Sequence, residues 1–223
     1  MRLSAEDQAR IAAAIQAAEA RTDGEIAVIA SAKSDAYHDV VLHWALLLAL
    51  LPPAVAAAWP GGLLRVAQWL DPSWSEAPSL RVALTVLLGA IALFFLVGRL
   101  LFGLAPLRFA LAPPATKARR VRRRALALFR AGTEGRTATR TGVLLYLSLA
   151  ERRAEIVADS AIHARAPRES WGEAMAALLG PVREEQPGEG IAAAVERIGA
   201  VLATHFPHTG SDPNELPDRV ILL

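Results

Sequence analysis

The chain of 223 residues contains no cysteine. Disulfide bridges, thiolate metal sites and cysteine nucleophiles are therefore excluded, although this absence does not decide the compartment. The sequence also has neither a G-x-x-x-x-G-K-[ST] loop nor a G-x-S-x-G elbow. P-loop phosphate chemistry and serine-hydrolase chemistry of the standard kinds are accordingly not indicated.

Formal charge is nearly absent from two long stretches. Residues 40–59 carry none, and residues 80–102 carry only Arg81 and Arg99, near the ends of that stretch. A bilayer core roughly 30 Å thick needs about 20 apolar residues as a helix, whose backbone groups satisfy one another. The sequence therefore predicts a transmembrane helical hairpin over residues 40–102.

Acidic residues are missing from the flank that follows the hairpin. The basic residues of segment 103–130 are Arg108, Lys117, Arg119, Arg120, Arg122, Arg123, Arg124 and Arg130. The connector 60–79 has Arg65 as its only basic residue. Because short flanks rich in Lys and Arg stay cytoplasmic, we expect a multi-pass protein of the bacterial inner (plasma) membrane with both termini inside (N-in/C-in).

The basic run KARRVRRR, residues 117–124, has two interpretations. As a flank lying against anionic lipid, each charge contributes about 1 kcal/mol near the bilayer surface. Nucleic-acid binding is disfavoured because no interleaved aromatic residues accompany the charges. Transport is also disfavoured, since two helices with no internal acid or base offer little to line a pathway. The lipid bilayer is thus the predicted partner, and any protein partner is unidentified.

The segment before the hairpin, residues 1–39, predicts one helix and one strand. Ser4 is a helix N-cap, and Ile11, Ile15 and Ala18 share one face of a helix that runs to Ala20. After the turn Thr22-Asp23-Gly24, residues 25–32 form an apolar run rich in Ile and Val. A run that is apolar on both faces indicates a strand covered by helices on each side.

The segment after the hairpin, residues 103–223, predicts further helices and strands. The expected elements are a helix over 115–130, a β-hairpin of strands 142–149 and 154–159, a helix over 170–179, a helix over 188–204 and a short final strand in RVILL. The helix that ends at about Leu179 begins with a capping box of Ser170 and Glu173. Its residues Met175, Leu178 and Leu179 are expected to face inward. Neither segment can bury its strands alone. We therefore expect one α/β domain, a small mixed β-sheet with helices on both faces, interrupted by the transmembrane hairpin.

Three stretches resemble a known family: LSAEDQARIAAAIQAAEARTDGEIAVIAS, FRAGTEGRTATRTGVLLYLSLAERRAEIVADSAI and HFPHTGSDPNELPDRVILL. They are similar to the TPM domain, in its bacterial membrane-anchored branch. The resemblance implies an α/β sandwich with a small sheet between helices. Its implications for function diverge, because relatives include a thylakoid-lumen protein proposed as an acid phosphatase, metal-binding forms and an animal receptor auxiliary subunit.

Metal binding is the chemistry that the residues favour most. Asp23 and Glu25 open the first strand and Asp159 ends the second hairpin strand, so their oxygens could converge at one sheet edge. Hard cations such as Ca²⁺ or Mg²⁺ prefer such ligands. The alternative is structural: Asp23 forms an Asx-turn, Asp159 caps a turn and Glu25 pairs with an arginine.

Other candidates are weaker. GTEGRT, residues 132–137, could cradle an anion or serve as a linker. Ser148 and Ser160 have no base identifiable from sequence. His163, His205 and His208 favour surface positions over a zinc site, because no cysteine is present.

Two functional hypotheses follow. The first is a noncatalytic, regulatory membrane protein whose cytoplasmic domain binds a partner or a cation. The second is a metal-dependent, phosphatase-like hydrolase. The sequence contains no complete catalytic constellation and implies no cofactor beyond Ca²⁺ or Mg²⁺.

Overall fold

A computed structural model describes residues 3–70, 78–132, 141–167, 169–210 and 216–223. The helices are α1 Ala5–Glu19, α2 His38–Ala49, α3 Leu51–Ala58, α4 Pro60–Leu70, α5 Leu80–Gly103, α6 Ala105–Leu111, α7 Pro114–Gly132, α8 Ser160–Arg165, α9 Ser170–Arg183 and α10 Pro187–His205. The strands are β1 Glu25–Ser31, β2 Gly142–Ser148, β3 Arg153–Ala158 and β4 Ile221–Leu222. Two compact units result: residues 1–35 with 114–223, and residues 36–113.

The first unit is built on a mixed sheet with strand order β3-β2-β1-β4. β1 pairs in parallel with β2, from Glu25 opposite Gly142 to Ser31 opposite Ser148. β2 and β3 form the antiparallel hairpin expected from their short separation. Every residue of β1 and β2 is buried, as their continuous apolar character predicts.

Helices cover both faces of this sheet. On one face α1, α8, α9 and α10 enclose a core whose largest members include Ile15, Leu145 and Ile198. On the other face α7 packs Val121, Ala125 and Phe129 against Tyr146 and its neighbours. The predicted fold class, a small mixed α/β sheet between helices, is confirmed.

The N-terminal helix begins where the sequence indicates. The Ser4 side chain accepts a hydrogen bond from the Asp7 N–H, and the Asp7 carboxylate accepts one from the Ser4 N–H at 2.9 Å. This reciprocal capping box satisfies two donors that a helix start leaves unpaired. The same bonds, led by the Ser4 N–H, lower the pKa of Asp7.

The capping box predicted at Ser170 and Glu173 is wrong. Ser170 is already the first helical residue of α9, and Glu169 at the N-cap makes no side-chain cap. Glu169 has helical backbone angles rather than the extended ones that present a capping side chain. The helix also continues to Arg183, and its buried residues are Trp171, Ala174, Leu178 and Val182. Met175 and Leu179 are only partly buried.

The second unit contains two helical stretches that are long and apolar enough to cross a membrane, His38–Ala58 and Leu80–Gly103. Most of their large apolar side chains, among them Leu46, Val55 and Leu100, are exposed. α2 and α3 meet at Leu50, just before two prolines that lack the N–H needed to continue a helical ladder. α4 occupies the first part of the connector 60–79, where no helix was predicted.

Candidate functional site

The three residues predicted as metal ligands lie at one edge of the sheet. Glu25 is the first residue of β1 and stands opposite Gly142, the first residue of β2. Asp159 follows the last residue of β3, and its N–H donates to the Gly142 carbonyl at 3.0 Å. The strand directions therefore bring Asp23, Glu25 and Asp159 to the same end of three neighbouring strands.

Each of these carboxylates has local hydrogen-bond partners. Asp159 accepts from the Gly142 N–H at 3.1 Å, so it caps the start of β2. Asp23 accepts from the Thr209 N–H at 2.8 Å and from its hydroxyl at 2.6 Å. Its carboxylate also lies 3.0 Å from Nδ1 of His208. These contacts, led by the Thr209 hydroxyl, lower the pKa of Asp23.

Glu25 is buried, and one of its carboxylate oxygens accepts from the Leu216 N–H at 3.1 Å. It lines a cavity of about 220 Å³ together with Glu19, Asp218, His208 and residues at and just after the end of α1. Two acidic groups that the sequence interpretation did not include, Glu19 and Asp218, thus stand beside Glu25. Asp23 and Asp159 are not among the residues that line this cavity.

Glu19 has a strongly perturbed ionisation. Burial raises the pKa of Glu19 to about 8, and the negative charges of Glu25 and Asp218 act in the same direction. The Ile26 N–H, which donates to Glu19 at 2.8 Å, opposes this shift. At neutral pH Glu19 is therefore largely protonated, since its pKa lies above 7.

The helical period of α1 indicates that the Glu19 side chain is partly buried. Ile11, Ile15 and Ala18 are buried on one face, and Glu19 lies eight residues after Ile11, on the border of the same face. An acid at such a position is partly buried at the edge of the core. Asp218 has no comparable signal, because it lies in an irregular segment after α10.

The described residues include no group of three His, Asp or Glu side chains arranged to hold a metal ion. The oxygen donors of Glu19, Glu25 and Asp218 nevertheless match the preference of Ca²⁺ and Mg²⁺ in chemical type. A cation at this cavity would have to draw these carboxylates together from their present hydrogen bonds. The metal triad Asp23, Glu25 and Asp159 stays a prediction.

The remaining candidate residues lie in secondary-structure elements or make hydrogen bonds within the fold. Ser148 is fully buried and donates to the Glu151 carboxylate, which also accepts from the Ser34 N–H at 3.0 Å. Ser160 is the first residue of α8. His205 ends α10, and His163 lies in α8. Of the stretch 132–137, all but Gly132 lies outside the described residues.

The comparisons with known proteins support the resemblance seen in the sequence. Residues 109–201 match the family model of the TPM domain. The fold is similar to the NMR structure of the BA42 protein from the psychrophilic bacterium Bizionia argentinensis, with a TM-score of 0.58 and 18% identity over 100% of this chain and 97% of that chain. No curated protein matches significantly. The TPM domain is therefore shown for residues 109–201.

Proposed function

We propose that this chain is a membrane-anchored regulatory protein whose cytoplasmic TPM domain binds a divalent cation, Ca²⁺ or Mg²⁺, at the cavity lined by Glu19, Glu25 and Asp218. One observation carries the proposal: three carboxyl groups are close enough for Glu25 and Asp218 to help raise the pKa of a third, Glu19, to about 8. A divalent cation relieves such crowding of like charge.

Binding is expected to be weak. Glu25 and Glu19 already accept backbone N–H bonds, and Glu19 must lose its proton. Metal affinity is coupled to the deprotonation of the ligands. We expect dissociation constants on the order of 10⁻⁴–10⁻³ M, the weak end of the protein calcium sites.

The two long apolar helices and the charges that flank them support the proposed membrane anchor. His38–Ala58 and Leu80–Gly103 would each cross the bilayer once. The basic α7 would then hold the TPM domain on the cytoplasmic side.

The test is titration of the full chain in detergent micelles with CaCl₂ and with MgCl₂, followed by calorimetry. We expect saturable binding that strengthens as pH rises through about 8, with proton release. Glu19→Gln and Asp218→Asn should each weaken binding about tenfold or more, whereas Asp159→Asn should not. Binding that is independent of pH, or lost only in Asp159→Asn, would contradict the proposed ligands.

A phosphatase-like hydrolase is the second candidate, because a carboxyl group protonated at neutral pH beside ionised carboxylates is the arrangement of an acid–base pair. The same preparations should be assayed with a generic phosphomonoester, with and without the two cations. Turnover that requires the cation and is abolished by Glu19→Gln would favour the hydrolase over the regulatory protein.

A further inference from the structure

A second cavity, of about 370 Å³, lies along the outer edge of β3. It is lined by the consecutive strand residues Ala154, Glu155, Ile156 and Val157, by Arg122 and Leu126 of α7, and by His163, Trp171 and Met175. Consecutive side chains of a strand point to opposite faces of the sheet. A cavity that touches four in a row therefore runs along the edge of the strand and not over one face.

The backbone of β3 presents unused hydrogen-bonding groups to this cavity. Among the described strands β3 pairs only with β2. Because the Asp159 N–H points to β2, the alternation of an antiparallel ladder turns the N–H and C=O groups of Ala154 and Ile156 outward. Neither residue has a described partner for these groups. Such an edge is a template for one more strand.

A buried side chain at the same cavity also has no partner. Trp171 is only 8% exposed, and its Nε1–H makes no hydrogen bond among the described residues. Leaving a buried donor unsatisfied costs about 1–3 kcal/mol, and buried tryptophans usually avoid this cost. The indole N–H is therefore a donor that the described residues leave unsatisfied.

The charges around the cavity are mainly basic. Arg122 and His163 are exposed on opposite sides of it, and Arg153 is partly exposed at the start of β3. Glu155 is the one acid among the described residues of the lining. Burial raises the pKa of Glu155, against the opposing effect of Arg122 and Arg153. This rim favours a ligand that carries negative charge.

We propose that the groove along β3 binds an extended, acidic peptide segment of a partner protein, which adds to the sheet as a fifth strand. The backbone groups of Ala154 and Ile156 pair with the peptide, and the Trp171 indole, whose Nε1 is shielded in the free chain, rotates to donate to one of its carbonyl oxygens. In this mode backbone bonds give affinity and flanking side chains give specificity. The groove is separate from the carboxylate cavity, so the peptide needs no cation.

A single peptide strand fits this edge better than a second copy of the chain. A neighbouring strand lies about 4.8 Å away, which places it between α7 on one face and α9 on the other. The β3 strand of a second copy would bring its own two helices against those of the first. A narrow, helix-free segment avoids that collision.

The probe is the peptide Glu-Val-Asp-Val-Glu-amide with fluorescein on its N-terminal amine, titrated with the full chain in detergent micelles containing EDTA, with fluorescence anisotropy as the readout. We expect saturable binding that is about tenfold weaker for the Lys-Val-Lys-Val-Lys analogue and for a peptide N-methylated at alternate residues. Hydrogen exchange of the Ala154 and Ile156 amides should slow when the peptide is present.

Two variants locate the site. Ala154→Pro removes only an outward N–H, so β3 keeps its bonds to β2, and Ala154→Val is its matched control. Trp171→Phe removes the indole donor and keeps an aromatic ring. Ala154→Pro and Trp171→Phe should each weaken peptide binding about tenfold, and Ala154→Val should bind the peptide with the affinity of the original chain.

Several results would overturn the proposal. These are no saturable binding, tighter binding of the basic peptide, or unchanged affinity in Trp171→Phe. Protection of the Ala154 amide that rises with chain concentration in the absence of peptide would assign the edge to a second copy instead. If Ala154→Pro fails to fold, the hydrogen exchange of the Ala154 and Ile156 amides in the unmodified chain tests the proposal, and exchange that the peptide does not slow would overturn it.

Discussion

Glu19 lies where the last turn of α1 meets the start of β1. Its carboxyl accepts the Ile26 N–H and shares a cavity with Glu25 and Asp218. Burial and the two neighbouring acids make the neutral form the stable one at pH 7. The packing of α1 therefore decides the protonation state of Glu19 in the candidate site.

Stability should fall with rising pH because of Glu19. Its pKa of about 8 in the folded chain exceeds the ordinary value of 4.5, so the folded state holds this proton more tightly than the unfolded state. The stabilisation is complete below the ordinary pKa and is lost as pH rises through about 8. After allowance for solvent screening, the loss is on the order of 2 kcal/mol.

Glu19→Gln should remove this pH dependence, because the amide stays neutral. The measurement is the free energy of unfolding of the full chain in micelles, from about pH 5 to about pH 9. Glu6→Gln on the exposed side of the same helix is the control and should keep the original profile. If the profiles of Glu19→Gln and the unmodified chain run parallel, the carboxyl is not held neutral by folding.

Among the elements, β1, β2 and α10 were predictable from sequence because their apolar patterns match their burial. The uninterrupted runs of β1 and β2 are buried along their whole length. In α10, where the sequence predicts a helix over 188–204, Ile191, Val195 and Ile198 recur near helical spacing and are all buried. Where a segment's own periodicity decides which side faces the core, sequence alone suffices.

The elements that sequence missed have weak local signals. α8 spans only Ser160–Arg165, too short for a helical period to emerge. α4 begins with Pro60, Gly61 and Gly62, which indicate a turn rather than a helix. The candidate site was partly missed for a different reason. Tertiary packing alone brings together Glu19, Glu25 and Asp218, and no spacing in the sequence predicts that these three carboxyl groups are close.

The packing of α2 against α5 depends on Gly98. A Cβ atom there would lie 3.0 Å from the Ala45 Cα and 3.1 Å from the Leu48 side chain. Gly98→Val should therefore force the helices apart and destabilise the detergent-solubilised chain by about 1–3 kcal/mol. Thermal unfolding in micelles measures this effect.

Gly89 supplies the matched control in the same helix, because no atom of the described residues lies within 4 Å of a Cβ added there. Gly89→Val makes the same change in helix propensity and side-chain size without the collision. Equal stability of the Gly98→Val and Gly89→Val variants would show that α2 and α5 do not pack closely at Gly98.

At the scale of the whole molecule, the sheet joins two distant parts of the chain. β1 precedes the apolar helices and β2 follows them, yet the two strands pair in parallel over seven residue pairs, from Glu25–Gly142 to Ser31–Ser148. Parallel neighbours need a long crossover, which here contains residues 36–113. The apolar helices are thus an insertion into an α/β domain and not a tether appended to it.

The central claim is that this insertion is a membrane hairpin with the TPM domain on the cytoplasmic side. The absence of cysteine allows a direct measurement, in which single cysteines replace exposed residues of each unit. Gln68→Cys lies in α4 of the connector and Glu173→Cys in α9 of the TPM domain. Each variant is expressed in bacteria, and spheroplasts are treated with a membrane-impermeant maleimide before and after lysis.

The account predicts that Gln68→Cys is labelled in intact spheroplasts and that Glu173→Cys is labelled only after lysis. Labelling of both cysteines in intact spheroplasts, or protection of both until lysis, would contradict the membrane hairpin. Labelling of Glu173→Cys alone would place the TPM domain on the opposite side of the membrane and contradict its cytoplasmic role.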